Sequence, residues 1–140
     1  SPRRTRSPVI VVDASVIANV VGDDEAAGQL ARARLAAASA VSAPELVDVE
    51  TVSVLRRRWL ADDLSDERFR CAVDDLLALP ITRFPVGPLM VRAFELRANI
   101  TAYDACYVAL AEALDCPLIT SDRRLANAPM TTCATEVLQL

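Results

Sequence analysis

Histidine and lysine are both absent from these 140 residues. Without imidazole there can be no ribonuclease built on paired histidines and no Ser-His-Asp hydrolase. A zinc site of mixed thiolate and imidazole ligands is excluded for the same reason. Without lysine, a receiver domain lacks the amine that stands beside its phosphoacceptor. Glycine is nearly as scarce: Gly22, Gly28 and Gly87 are the only three, so neither the P-loop nor the dinucleotide-binding glycine fingerprint can be written. No apolar stretch approaches the roughly 18 residues of a membrane span, and the N-terminus lacks the apolar region of a signal peptide. The expected location is the cytoplasm. Cys71, Cys106, Cys116 and Cys133 show no CxxC spacing and read as buried free thiols.

What remains is apolar and acidic. Hydrophobic residues make up 53% and charged residues 24% of the chain, a composition that folds as one globular domain. The net charge is −4, and all fifteen basic residues are arginine. Arg3, Arg4 and Arg6 fall in a Ser/Pro/Arg head, residues 1–8, read as flexible, which leaves a still more acidic folded body over 9–140. Such a surface repels nucleic acid, so a polynucleotide ligand needs local arginines or metal ions to bind. Arginine suits bidentate phosphate contact; the clusters are Arg56-Arg57-Arg58 and Arg123-Arg124, each of which, taken alone, reads first as a solvated helix face.

The hydrophobic pattern predicts short strands alternating with helices. Val9 to Val12 is a continuous β-branched run of the kind buried on both faces of a parallel sheet. Helices are expected over Ala14 to Val21 and Asp24 to Ala38. A strand over Ala40 to Ser42 precedes a helix with Pro44 in its first turn, running to about Leu60. Ser65 caps a helix that stops before Pro80, and Ile81 to Phe84 is a strand. Helices over Pro88 to Ala98 and Thr101 to Leu114, a strand over Pro117 to Thr120 and a short helix over Arg123 to Ala126 follow. A last edge strand is expected between Cys133 and Leu138. The order implies a three-layer α/β/α sandwich around a short, mostly parallel sheet.

Four carboxylates sit awkwardly in that pattern. Asp13 ends the first strand, Glu50 falls on an apolar helix face between Leu46 and Val54, Asp104 is the only charge between Thr101 and Ala111, and Asp122 follows Leu118-Ile119. Bland roles exist for three: Asp13 and Asp122 as helix N-caps, and Asp104 as the acid of a Thr-x-x-Asp capping box. Glu50 has no such role. In open parallel sheets functional groups gather beyond the carboxyl ends of the strands, which brings all four toward one edge. Acids crowded together raise one another's pKa unless a cation intervenes. The hard ion Mg²⁺ matches such oxygen donors, and two such ions serve phosphodiester cleavage.

The segments Val11-Val12-Asp13-Ala14-Ser15, Pro44 to Glu50 with Leu55-Arg56-Arg57, Leu96 to Ala105 with Tyr107 to Ala111, and Leu118 to Leu125 occur in an order that resembles a PIN domain. Within that family the closer likeness is to VapC-type toxins of bacterial toxin–antitoxin pairs. The resemblance covers roughly residues 9 to 127. It implies a metal-dependent endoribonuclease with Asp13 and Asp104 as principal metal ligands and Glu50 and Asp122 as the remaining acids. Ser15 and Thr120 match hydroxyl positions at the rim that orient a ligand or phosphate. It further implies a homodimer and a cognate VapB-type antitoxin that covers the acidic pocket. Rival readings are a PIN-type nuclease with an RNA-processing or DNA role outside toxin systems, and a catalytically silent binding module. The head 1–8 departs from the family, whose chains begin almost at the first strand.

Overall fold

A computed structural model describes residues 9–129 and 131–140; the Arg/Pro-rich head lies outside the described residues. The chain runs β1 (Val9–Val12), α1 (Ala14–Gly22), α2 (Ala26–Ala36), β2 (Ala40–Pro44), α3 (Val47–Leu60), α4 (Asp66–Ala78) and β3 (Thr82–Phe84). A short 3-10 turn at Gly87–Leu89 leads into α5 (Met90–Glu95), followed by α6 (Ala102–Leu114), β4 (Leu118–Thr120), α7 (Arg123–Ala126) and β5 (Thr135–Val137). All five strands are parallel, in the order β3-β2-β1-β4-β5.

That order explains the layers. The chain steps from β1 to β2 to β3 in one direction, then returns past β1 to β4. Right-handed crossovers place the helices of the outward steps on one face and those of the return on the other. Accordingly α1 packs against α2, α3 and α4, while α6 packs on α5 and lies against β1, β2 and β4. Sandwiched between them, Ile10, Val11, Val12, Leu118 and Ile119 are fully buried. The apolar run that marks β1 in the sequence is therefore the centre of the sheet.

Local departures from the sequence reading have identifiable causes. Pro44 does not open α3; it ends β2, paired with Phe84. Proline's fixed φ suits either place, and here the neighbouring strand decides. The second helix starts at Ala26, because the Asp23 side chain accepts from the backbone N–H groups of Glu25 (2.7 Å) and Gly28 (3.2 Å). The helix expected through Ala98 stops at Glu95 and dissolves into turns, with the Leu96 carbonyl accepting from both Asn99 and Ile100. Ser65 and Thr101 cap α4 and α6 as read, accepting from the N–H of Arg68 and of Asp104. The cysteines are free as expected, but only Cys106 is buried; Cys116 and Cys133 are half-buried and Cys71 is exposed on α4.

Candidate active site

The strand order reverses between β1 and β4, and the crevice at their carboxyl ends is where a doubly wound sheet places its site. Asp13 leaves β1 there. Its N–H donates to Ile119 of β4 (3.2 Å), so the first acid is stitched to the neighbouring strand. Its carboxylate is 6% exposed and takes donors on both oxygens. Ser15 Oγ (2.6 Å) and the Val16 N–H (3.3 Å) donate to Oδ1, and Thr120 Oγ1 makes a short bond to Oδ2. Asp13 is thus the N-cap of α1 and a pocket acid at once.

The two hydroxyls serve that acid. Thr120 is fully buried, and besides donating to Asp13 it accepts from the N–H of Asp122 (3.0 Å). The Thr120 hydroxyl, expected at the rim, is turned inward onto Asp13 and Asp122. Ser15 lines the pocket, but its oxygen is spoken for by Asp13 and by the N–H of Ser121 (3.0 Å). Both side chains fix the orientation of Asp13.

The other acids arrive from helices. Glu50 lies in the first turn of α3, half-buried, where Tyr107 Oη donates to its Oε1 at 2.6 Å. Asp104 occupies the first turn of α6, one helical turn before Tyr107, so both face the same cavity. Asp122 caps α7 through the N–H of Arg124 (2.9 Å), and its two oxygens also meet the Arg124 guanidinium at 3.2 and 2.9 Å. All four acids line one cavity of about 430 Å³, together with Tyr103, Tyr107 and Arg57.

Their electrostatics separate them into two groups. Burial, partly offset by its hydroxyl donors, pushes Asp13 above the ordinary carboxylate value. Burial likewise raises Glu50, with the charges of Asp104 and Asp13 adding to it. Asp104 is raised by burial and then by Asp122. Asp122 alone is lowered, by its hydrogen bonds to Arg124. The expected ring of four is accordingly looser than the sequence suggested. Among the described residues no three such side chains stand close enough together to hold an ion as they lie, since Glu50 is turned to Tyr107 and Asp122 to Arg124. The donor set nevertheless fits a hard divalent ion. It consists of carboxylate oxygens only, three of them raised by burial and each further by a neighbouring acid: Asp13 by Asp104, Glu50 by Asp104 and Asp13, and Asp104 by Asp122, the condition a cation relieves.

A pH dependence follows from the three raised carboxyls. Each binds its proton more tightly folded than unfolded. Between the ordinary value near 4 and the raised value, the folded chain therefore holds more protons, and stability falls as pH rises. Asp122 works in the opposite direction, so a difference measurement is needed. In EDTA, Asp13→Asn is expected to melt above the parent at pH 7, with the gap closing as the pH is lowered toward 5. A gap indifferent to pH in paired thermal melts contradicts this placement of charge.

Tyr107 and Arg57 line the cavity although the sequence does not single them out as site residues. Tyr107 was visible in principle, three residues after Asp104 on one helix face. Arg57 stands in the sequence as one of three adjacent arginines and in the matching segment Leu55-Arg56-Arg57, neither of which assigns it to the pocket. In the fold the three diverge: Arg57 reaches the acid cavity, Arg58 bonds Asn19 (2.7 Å), and Arg56 lines a separate apolar groove with Trp59 and Phe69.

Comparison with known proteins gives the family and the fold. The PIN domain family model matches residues 10–129. Ribonuclease VapC9 of Mycobacterium tuberculosis is 43% identical over 130 residues, spanning 93% of this chain and 98% of that protein. Ribonuclease VapC1 of the same organism is 41% identical over 130 residues, spanning 92% and 97%. Two solved structures share the fold at low identity. VapBC2 from Rickettsia felis, bound to a promoter DNA fragment, superposes with a TM-score of 0.67 at 13% identity, over 94% of this chain and 99% of that one. Mycobacterium tuberculosis VapC20, a Sarcin-Ricin loop cleaving toxin, gives 0.65 at 21% identity, over 84% and 93%. With a buried Asp13 at the switch point, three further acids around it and full-length relatives above 40% identity, the chain belongs to the PIN-domain family, in its VapC branch.

Proposed function

We propose that this chain is a divalent-metal-dependent endoribonuclease, the toxin of a toxin–antitoxin pair, acting in the cytoplasm. The observation that carries the reading is the buried, thrice-hydrogen-bonded Asp13 sharing a cavity with Glu50, Asp104 and Asp122, in a chain whose relatives are named ribonucleases. The reaction is hydrolysis: water adds at phosphorus and the bond to the 3′ oxygen breaks. Asp13, Glu50 and Asp104 would hold Mg²⁺ or Mn²⁺, with Asp122 completing the set. A divalent ion so held lowers the pKa of water and stabilises charge developing on phosphate oxygens.

The protein's own part is orientation. Ser15 and Thr120 pin both oxygens of Asp13, so the carboxylate cannot rotate away. Tyr107 holds Glu50 from the far side of the cavity. Its phenol is pushed well above its usual pKa by burial and by Glu50, so it stays a donor and does not compete as a base. Arg57, two turns along α3 from Glu50 and in the same cavity, offsets part of the negative field that repels RNA.

Partners follow the same logic. Two of the solved neighbours are VapBC proteins, which supports a VapB-type antitoxin for this chain. An antitoxin arginine placed among the acids would substitute for the metal's charge. A homodimer finds an apolar face at hand on α5, where Met90, Val91 and Phe94 are 41%, 73% and 62% exposed. The test is cleavage of total RNA by purified chain, with end mapping. Activity is expected with Mg²⁺ or Mn²⁺ and none in EDTA, restored by excess metal. Cleavage that persists in EDTA overturns the metal-dependent reading.

A further inference from the structure

We propose that Arg97 and Arg124 form a subsite for an RNA phosphate flanking the scissile one, and that Arg124 exchanges between Asp122 and that phosphate. The proposal rests on the nuclease reading above and adds the residues that carry the strand. A second cavity of about 520 Å³, lined by Arg97, Asn99, Thr101 and Arg124 among others, adjoins the acid cavity and shares Asp104 and Asp122 with it. Those two carboxylates line both cavities, and the second adds the guanidiniums of Arg97 and Arg124.

Arg97 is held in place before any ligand arrives, whereas Arg124 is held by the carboxylate it must leave. Arg97 donates to the Phe94 carbonyl (2.9 Å) and stacks 4.0 Å over the Phe94 ring. Arg124 is clamped by both oxygens of Asp122. A guanidinium already positioned loses less conformational freedom on binding phosphate. Other arginines are anchored on acids away from this cleft, such as Arg34 on Glu136 and Arg83 on Asp48. In a chain of net charge −4, phosphates flanking an acidic centre need cationic partners in reach, and Arg97 and Arg124 stand beside it.

The exchange follows from the state of Asp122. Its pair with Arg124 is exposed on the arginine side, at 91%, and such pairs are weak. While the pair persists, Asp122 is committed to Arg124. A phosphate that draws Arg124 away frees the carboxylate toward Asp104 and a cation. RNA and divalent ion then favour each other's binding, reciprocally.

Two equilibrium measurements on the full chain test this. The first is binding of a short single-stranded oligoribonucleotide in EDTA across a salt series. Arg97→Ala and Arg124→Ala are each expected to bind about tenfold more weakly and to lower the slope of log affinity against log salt by about 0.7. Arg70→Ala, on α4 away from the cleft, serves as the control and is expected to keep the parent slope. The second is Mn²⁺ titration without RNA. Arg124→Ala is expected to bind Mn²⁺ several-fold more tightly, because Asp122 has lost its competitor, while Arg97→Ala matches the parent. Parent-like salt slopes in both variants overturn the subsite, and unchanged Mn²⁺ affinity in Arg124→Ala overturns the exchange. A parent that binds neither RNA nor Mn²⁺ overturns the nuclease reading itself, a failure seen in the parent rather than in the variants.

Discussion

Asp104→Asn is expected to lower RNA cleavage by a factor of about a thousand or more while leaving the melting temperature in EDTA equal to or above the parent's. The change removes one charge and almost nothing else. The Asp104 backbone N–H keeps its bond to Thr101, and that cap belongs to the Thr101 side chain. The neighbours Ala105, Cys106 and Tyr107 stay packed in the core. Without metal the charge is a burden, raised by burial and by Asp122. With metal it is part of the donor set, and losing a few kcal/mol of transition-state stabilisation corresponds to about three powers of ten. The check is initial rate and thermal melt on one preparation. A variant that cuts at the parent rate removes Asp104 from the site.

Gly28→Ala is expected to cost about 3 kcal/mol and to lower the melting temperature by roughly 10 °C. A Cβ at this position would lie 1.8 Å from the Asp23 carbonyl oxygen and 2.7 Å from its carbon, distances that require the backbone to move. It has little room to do so. The Asp23 carbonyl accepts from Arg32 (2.8 Å), and the Asp23 carboxylate holds the N–H groups of Glu25 and Gly28 itself. The corner between α1 and α2 closes on that set of bonds. α1 also carries Ser15, so damage here reaches the acid pocket through the helix that Asp13 caps. Thermal unfolding of the variant beside the parent decides; a loss below the error of the melt shows the corner can yield.

Much of this was written in the sequence at the level of elements. Val9 to Val12 announces a doubly buried strand, and Ser65 and Thr101 announce helix starts, because these signals act over a few residues. Pro44 shows where local signals stop: its φ fits a strand end as well as a helix start, and only the pairing with Phe84 chooses. Gly28 was counted only toward the absence of phosphate-binding loops, since nothing local reveals a carbonyl pressed against its Cα. The positions of the acids were legible through strand ends and helix starts, which topology then carries to one crevice. Their partners were not. Tyr107 meets Glu50 across 57 positions of chain, and Thr120 meets Asp13 across 107. Asp122 and Arg124 are two apart, a spacing that does not pair within a helix; the extended backbone at Asp122 makes the pairing possible.

The most direct measurement of the central claim is the anomalous scattering of Mn²⁺ in crystals of this chain soaked at neutral pH. The expected result is density in the acid cavity about 2.1 Å from carboxylate oxygens of Asp13, Glu50 and Asp104, lost in Asp104→Asn. Saturating Mn²⁺ that leaves this cavity without a peak, or that collects instead at a remote acid such as Glu112, contradicts it.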